Sequence, residues 1–123
     1  MDYPVISADS HITEAPNTYI DYIDAKFRDR APRIESLGNG DVFIIDGMDR
    51  PIHLGLVAAA GKKPEEITTG GVKFEELHRS GWDPKARIAD QEKDGVSAEI
   101  IYPTVGMMLC NHKDFDYKQA CFD

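Results

Sequence analysis

With 123 residues the chain can hold one domain at most, and 22 acidic against 14 basic side chains give it a net charge of −8. The lack of a basic patch argues against nucleic acid as a partner, and no apolar run is long enough to cross a membrane. Asp2, with no basic-then-apolar pattern behind it, argues against a secretory signal, and the two cysteines, Cys110 and Cys121, match no zinc spacing and read as reduced thiols in a cytoplasmic protein.

The first predicted element is a strand over residues 4–9. Its apolar, unalternated run suits a strand buried on both faces, as in a parallel sheet, although so short a run does not separate a strand from a buried helix by pattern alone. At its end Asp9 and His11 stand two apart. In an extended strand such residues point to the same face, with Ala8 and Ser10 directed away. A carboxylate and an imidazole then project together, a donor pair able to bind a divalent transition metal. Spacing alone equally allows two side chains that only bond nearby backbone. Glu14 has three readings: a further ligand, an acceptor for an amide near Asn17, or a solvated carboxylate.

A helix is predicted over residues 17–27. Asn17 can cap it, and Tyr19, Ile20, Ile23 and Phe27 fall on one stripe. Pro32 then disfavours helix at Ala31. Residues 33–54 change to strand character, with a turn at Gly38-Asn39-Gly40, a β-branched and aromatic run at Asp41–Ile45, a second turn at Gly47-Met48-Asp49 and a short strand at Ile52–Leu54. Pro51 cannot donate to a ladder, so that last strand belongs at an edge, and His53 reads as a surface histidine on it. The whole is an antiparallel meander, an excursion from any parallel sheet. Residues 56–72 read as a loop, with a helical turn at Ala58–Lys63.

Gly81-Trp82-Asp83-Pro84 opens the clearest helix, over 83–94. Asp83 caps it, Pro84 takes the first helical position and Gly95 supplies the left-handed stop. Ala86, Ile88 and Ala89 form a small apolar face fit to lie against a sheet, and Trp82 reads as a packing anchor. A second short strand follows over 98–102, apolar except for Glu99, and 114–123 begins another helix. Thr104 and His112 follow that strand and are placed to line the same mouth, His112 reading as an exposed loop histidine. The cysteines lack a paired base, so nucleophilic catalysis has no support.

Asp9-Ser10-His11 with Glu14-Ala15-Pro16, then Phe27-Arg28-Asp29-Arg30-Ala31-Pro32, Gly81-Trp82-Asp83-Pro84 and Tyr102-Pro103-Thr104, resemble in order and spacing the amidohydrolase-2 family of metal-dependent hydrolases and decarboxylases. The resemblance covers nearly the whole chain. It implies an α/β fold, the N-terminal fragment of a (β/α)8 TIM barrel with the antiparallel β-meander inserted, and a zinc or manganese-like ion at the C-terminal ends of the strands. Asp9 and His11 are the metal ligands it implies. Glu14, Thr104 and His112 are additional candidates by their position in the chain alone, His112 matching no motif of the family, and no catalytic residue is assigned. Many members carry His-x-His on the first strand; Asp9 places this chain with the subgroups that have a carboxylate first.

A complete barrel needs roughly 250 residues. The chain therefore reads as a single incomplete domain, truncated within the helix at its end, with at most half a site. It is expected to hold metal weakly or not at all and to be inactive alone. The parent enzyme is expected to hydrolyse or decarboxylate a small organic acid or amide, the metal polarising a substrate oxygen or activating water. Two other functions compete: a truncated, non-catalytic remnant that self-associates as a homo-oligomer through its strand edges, and a small-molecule binding module using the apolar mouth near Tyr102.

Overall fold

The computed structural model describes residues 3–57 and 59–123. Two sheets organise it. In the first, β1 (Val5–His11) and β5 (Val96–Tyr102) run parallel, from Val5 opposite Val96 to His11 opposite Tyr102, with irregular register between Ser7 and Ser10. In the second, β2 (Arg33–Ser36), β3 (Asp41–Ile44) and β4 (Ile52–His53) form an antiparallel meander in that order. The fold is thus mixed α/β, with a parallel and an antiparallel sheet. No helix among the described residues is long and apolar enough to cross a membrane.

The meander follows from its turns. Gly38 and Gly40 between β2 and β3 have φ of 76° and 127°, in the region that suits glycine. A Cβ on Gly40 would also stand 2.8 Å from the Gly71 amide nitrogen, so the turn packs against the loop that follows. Gly47, at φ 77°, sits in the next turn.

The helix predicted over 17–27 is two pieces. α1 (Thr18–Tyr22) stops at Ile23, whose ψ of 148° is extended, and a 3-10 turn takes over at Ala25–Arg30. Asn17 makes no side-chain cap. Its backbone, at φ −101° and ψ 3°, lacks the extended geometry that a cap residue uses. Asp24 caps the second piece instead, accepting from the Lys26 amide at 3.0 Å. A short polar side chain that bonds the backbone locally competes with a continuing helix.

After β4 the chain makes one helical turn, α2 (Leu54–Val57), so the loop predicted over 56–72 opens inside a helix. The predicted turn at Ala58–Lys63 lies partly outside the described residues; within them, the Lys62 amide donates to the Ala59 carbonyl at 3.1 Å. Three 3-10 turns follow, at Pro64–Glu66, Phe74–Glu76 and Arg79–Gly81. Then α3 (Pro84–Asp94) crosses back to β5. Asp83 accepts from the Lys85 amide at 2.8 Å, and Gly95 at φ 69° closes the helix. α4 (Val105–Leu109) and α5 (Phe115–Phe122) complete the chain.

The hydrophobic core does not lie under the parallel sheet. Phe43, Ile45, Leu54, Val72, Leu77, Val105, Leu109 and Tyr117 form one buried cluster. The meander, the loop after it and the two C-terminal helices therefore share it. The parallel strands, predicted to be buried on both faces, are largely exposed, Ile6 by 59% and Ile100 by 52%. One neighbouring strand and one helix cannot cover two faces. Nor does α3 turn its apolar side inward: Ile88 is 56% exposed. Arg87 faces the sheet, and its Nε donates to Glu99 Oε2 at 2.6 Å, which explains the one charged residue in β5.

Leu54 is fully buried in the core. Leu54→Ala is expected to cost about 2–5 kcal/mol, whereas Ile88→Ala should stay within about 0.5 kcal/mol, both read by urea denaturation. A second expectation concerns Asp114. The Tyr117 amide, first, and then the Arg30 guanidinium hold its carboxyl below the usual carboxylate range. A depressed folded-state value contributes stability above the unfolded value and loses it as pH falls through the folded one. Asp114→Asn should therefore lower the thermal midpoint at pH 7, and the gap should close as the buffer is taken below 3.8, the ordinary value of such a carboxyl group.

Candidate functional site

Because β1 and β5 are parallel, their C-terminal ends lie together, and His11 pairs with Tyr102 there. The two rings stand 5.8 Å apart. His11 Nε2 lies 3.1 Å from Asp9 Oδ1, so the two side chains share one side of the strand, with the imidazole N–H donating to the carboxylate. The Ser10 hydroxyl lies 2.6 Å from that of Ser7, across the irregular stretch of the strand. Both candidate ligands are open to solvent, Asp9 by 79% and His11 by 50% of the side chain.

Their separation bears on metal binding. Two donors at about 2.0–2.2 Å from one ion, at right to tetrahedral angles, stand roughly 2.8–3.6 Å apart. The 3.1 Å gap falls inside that range. No group of three or more His, Cys, Asp and Glu side chains that could hold a metal occurs among the described residues, and a pair alone falls short of the three or four ligands that are usual.

Glu14 goes elsewhere. It is buried, and both its oxygens are engaged. Oε1 accepts from the Gly106 amide at 2.9 Å and the Tyr19 hydroxyl at 3.2 Å. Oε2 accepts from the amides of Val105 at 3.1 Å and Thr104 at 3.2 Å. These are orphan donors at the start of α4. The Tyr19 phenol is pushed well above its ordinary range, by burial first and then by the Glu14 carboxylate. Thr104 joins the same cluster, its hydroxyl donating to the Ile12 carbonyl at 2.7 Å.

His112 lies in a third place and is not an exposed loop residue. It is 8% exposed, with its ring 4.7 Å from that of Tyr117. Nε2–H donates to the Asp46 carbonyl at 2.7 Å, and Nδ1 accepts from the Asp114 amide at 3.1 Å. Both ring nitrogens are thereby used, and a side chain on Gly47 would press on Nε2 at 2.9 Å.

Two residues beside His11 were not singled out by sequence reasoning. Arg87, besides Glu99, donates to the carbonyls of His11 at 3.2 Å and Ser80 at 3.3 Å, fixing the end of β1. His78 Nε2 lies 2.7 Å from Asp90 Oδ2. The Asp90 carboxyl is held low by His78 first and by Ser80 next. His78 and His11 line one cavity of about 60 Å³ with Thr13, Leu77 and Trp82. No local pattern signals the His78–Asp90 pair, whose members stand 12 positions apart on a loop and a helix. Trp82 also lines a larger, mostly apolar pocket of about 290 Å³, together with Ile12, Pro84, Arg87 and Ile101.

Neither a family model nor a curated protein matches the chain. Among solved structures it is similar to an amidohydrolase from Mycobacterium avium subsp. paratuberculosis K-10, at 20% identity and a TM-score of 0.61, over 98% of this chain and 36% of that one. The likeness establishes an amidohydrolase-like fold, and the chain spans little more than a third of that protein's length.

The Glu14 contacts predict a contrast. Glu14→Gln points an amide group at backbone donors and leaves at least one of them without an acceptor. It should cost about 1–3 kcal/mol in chemical denaturation. Asp9→Asn, on a side chain that is 79% exposed, should leave the denaturation midpoint in place.

Proposed function

We propose that this chain is the N-terminal part of an amidohydrolase-like, metal-dependent hydrolase or decarboxylase acting on a small organic acid or amide, and that Asp9 and His11 contribute two of its metal ligands. The observation that supports this best is the convergence of Asp9 Oδ1 and His11 Nε2, 3.1 Å apart, at the end of β1 on an amidohydrolase-like fold. A zinc or manganese-like ion held by Asp9 and His11 would supply a Lewis acid able to polarise a substrate oxygen or acidify a water. The chain's own residues prepare the place. Arg87 pins the backbone of His11, and the contact with Tyr102 limits how its ring can turn. The apolar pocket along Ile12, Trp82 and Ile101 is of a size to take the body of a small substrate.

The parallel pair is read as the first two strands of a (β/α)8 barrel. Parallel sheets occur almost only with both faces covered, and Val5, Ile6, Ile100 and Ile101 await such cover. The same exposure favours a second reading, a non-catalytic remnant whose strand edges pair between copies. Light scattering separates the two. Monomers of a version extended to the length of the solved amidohydrolase, with oligomers of this chain alone, support the enzyme.

Calorimetric titration with zinc and manganese tests the ligands. This chain should bind weakly, the extended version more tightly, and Asp9→Asn or His11→Ala should lower affinity at least tenfold. Binding should also weaken in acid, since only neutral imidazole ligates. Tight binding that survives both substitutions would place the metal elsewhere. Its absence in the extended version would end the metalloenzyme reading.

A further inference from the structure

Asp9 and His11 amount to half of a coordination shell. Their donor atoms stand 3.1 Å apart, a spacing at which both can bind one ion, and no third His, Cys, Asp or Glu among the described residues joins them. Both side chains are open to solvent and can be reached from outside the chain. The surface beside them is apolar. Tyr102, whose ring lies 5.8 Å from that of His11, is 43% exposed. Ile100, two residues before it and so on the same face of β5, is exposed as well. This patch is small. A few part-exposed side chains fall well short of the roughly 800 Å² per partner that a stable interface buries. Each copy of the chain also carries a net charge of −8, and across a two-fold seam here the Asp9 carboxylates would face each other. Apolar contact alone is therefore too weak to join two copies at this face. A cation between the carboxylates reverses the sign of the electrostatic term.

We propose that two copies of this chain bind one zinc ion between them, each copy giving Asp9 Oδ1 and His11 Nε2, with Ile100 and Tyr102 of both copies around the ion. The two-fold axis passes through the metal, so two identical half-shells make a set of two nitrogens and two oxygens, the four ligands of a closed zinc site. The His11 ring proton then sits on Nδ1, and the ion takes the place that the Nε2 proton holds against Asp9. This site rests on the reading of Asp9 and His11 as ligands, and on no reaction. On the enzyme reading, later strands of the same chain cover this face and bring the missing ligands, so the shared site belongs to the chain of this length.

Sedimentation and calorimetry with zinc, on this chain and on the extended version, provide the test. Zinc should double the mass that this chain has in chelator, at one ion for every two chains. The apparent affinity should rise with chain concentration, because the second copy is part of the site. Asp9→Asn and His11→Ala should each abolish the doubling. Ile100→Glu, which removes no ligand but adds charge to the seam, should weaken it at least tenfold. Cobalt(II) in place of zinc should give the intense visible bands of a tetrahedral site. A mass that zinc leaves unchanged overturns the proposal. So does a ratio of one ion to each chain, or a doubling that survives Asp9→Asn. The extended version should take zinc without doubling. If it binds while this chain fails to pair, the shared site falls and the enzyme reading stands. If this chain pairs around zinc and the extended version binds none, the reverse holds.

Discussion

The buried carboxylate of Glu14 is the constraint on which the rest of the architecture hangs. A buried carboxylate without donors is costly, and so are free amides at the start of a buried helix. Each problem solves the other here, through three backbone amides and one tyrosine hydroxyl. The contact joins residues 90 to 92 positions apart. It holds the exit of β1 to the segment that leaves β5, and it fixes where α4 starts. From there Val105 and Leu109 reach the core beneath the meander. The open ends of the parallel strands are therefore tied to the dense apolar interior that the described residues form.

A second polar contact does what an apolar interface was expected to do. α3 rests on the parallel sheet through Arg87 and Glu99, both largely shielded from solvent. A partly buried ion pair adds little net stability, because desolvation offsets most of the attraction, yet losing one partner is expensive. Its effect is geometric. The planar guanidinium spans Glu99, the His11 carbonyl and the Ser80 carbonyl, and so sets the helix, the strand end and the preceding loop in one arrangement. That arrangement puts His78 across a small cavity from His11.

The core and the candidate ligands thus rest on different elements, although Leu77 and Trp82 reach from one to the other. The core is built on the meander and the last two helices, while the parallel strands carry the candidate ligands with much of their apolar surface open. The two regions communicate through polar ties, chiefly Glu14 and Arg87. Substitutions in the core should leave the spacing of Asp9 and His11 intact until the chain unfolds, and the polar ties are where stability and site geometry meet.

Local chemistry determined what the sequence could determine by itself. Glycines with positive φ fixed the turns of the meander, Asp83-Pro84 and Gly95 fixed the two ends of α3, and the spacing of Asp9 and His11 put both on one side of β1. Each is settled within a few residues by sterics or by one hydrogen bond. What lay beyond the sequence needed partners far along the chain. The break at Ile23 set aside an apolar stripe of good helical spacing because Asp24 offered the backbone another bond. The fates of Glu14, Thr104 and His112 depended on which amides and carbonyls the fold delivered to them, and Glu99 reads as an oddity until Arg87 lies across it. The pairing of His78 with Asp90, and their place beside His11, belongs wholly to the tertiary structure, since a loop and a helix meet there only once α3 has packed onto the sheet.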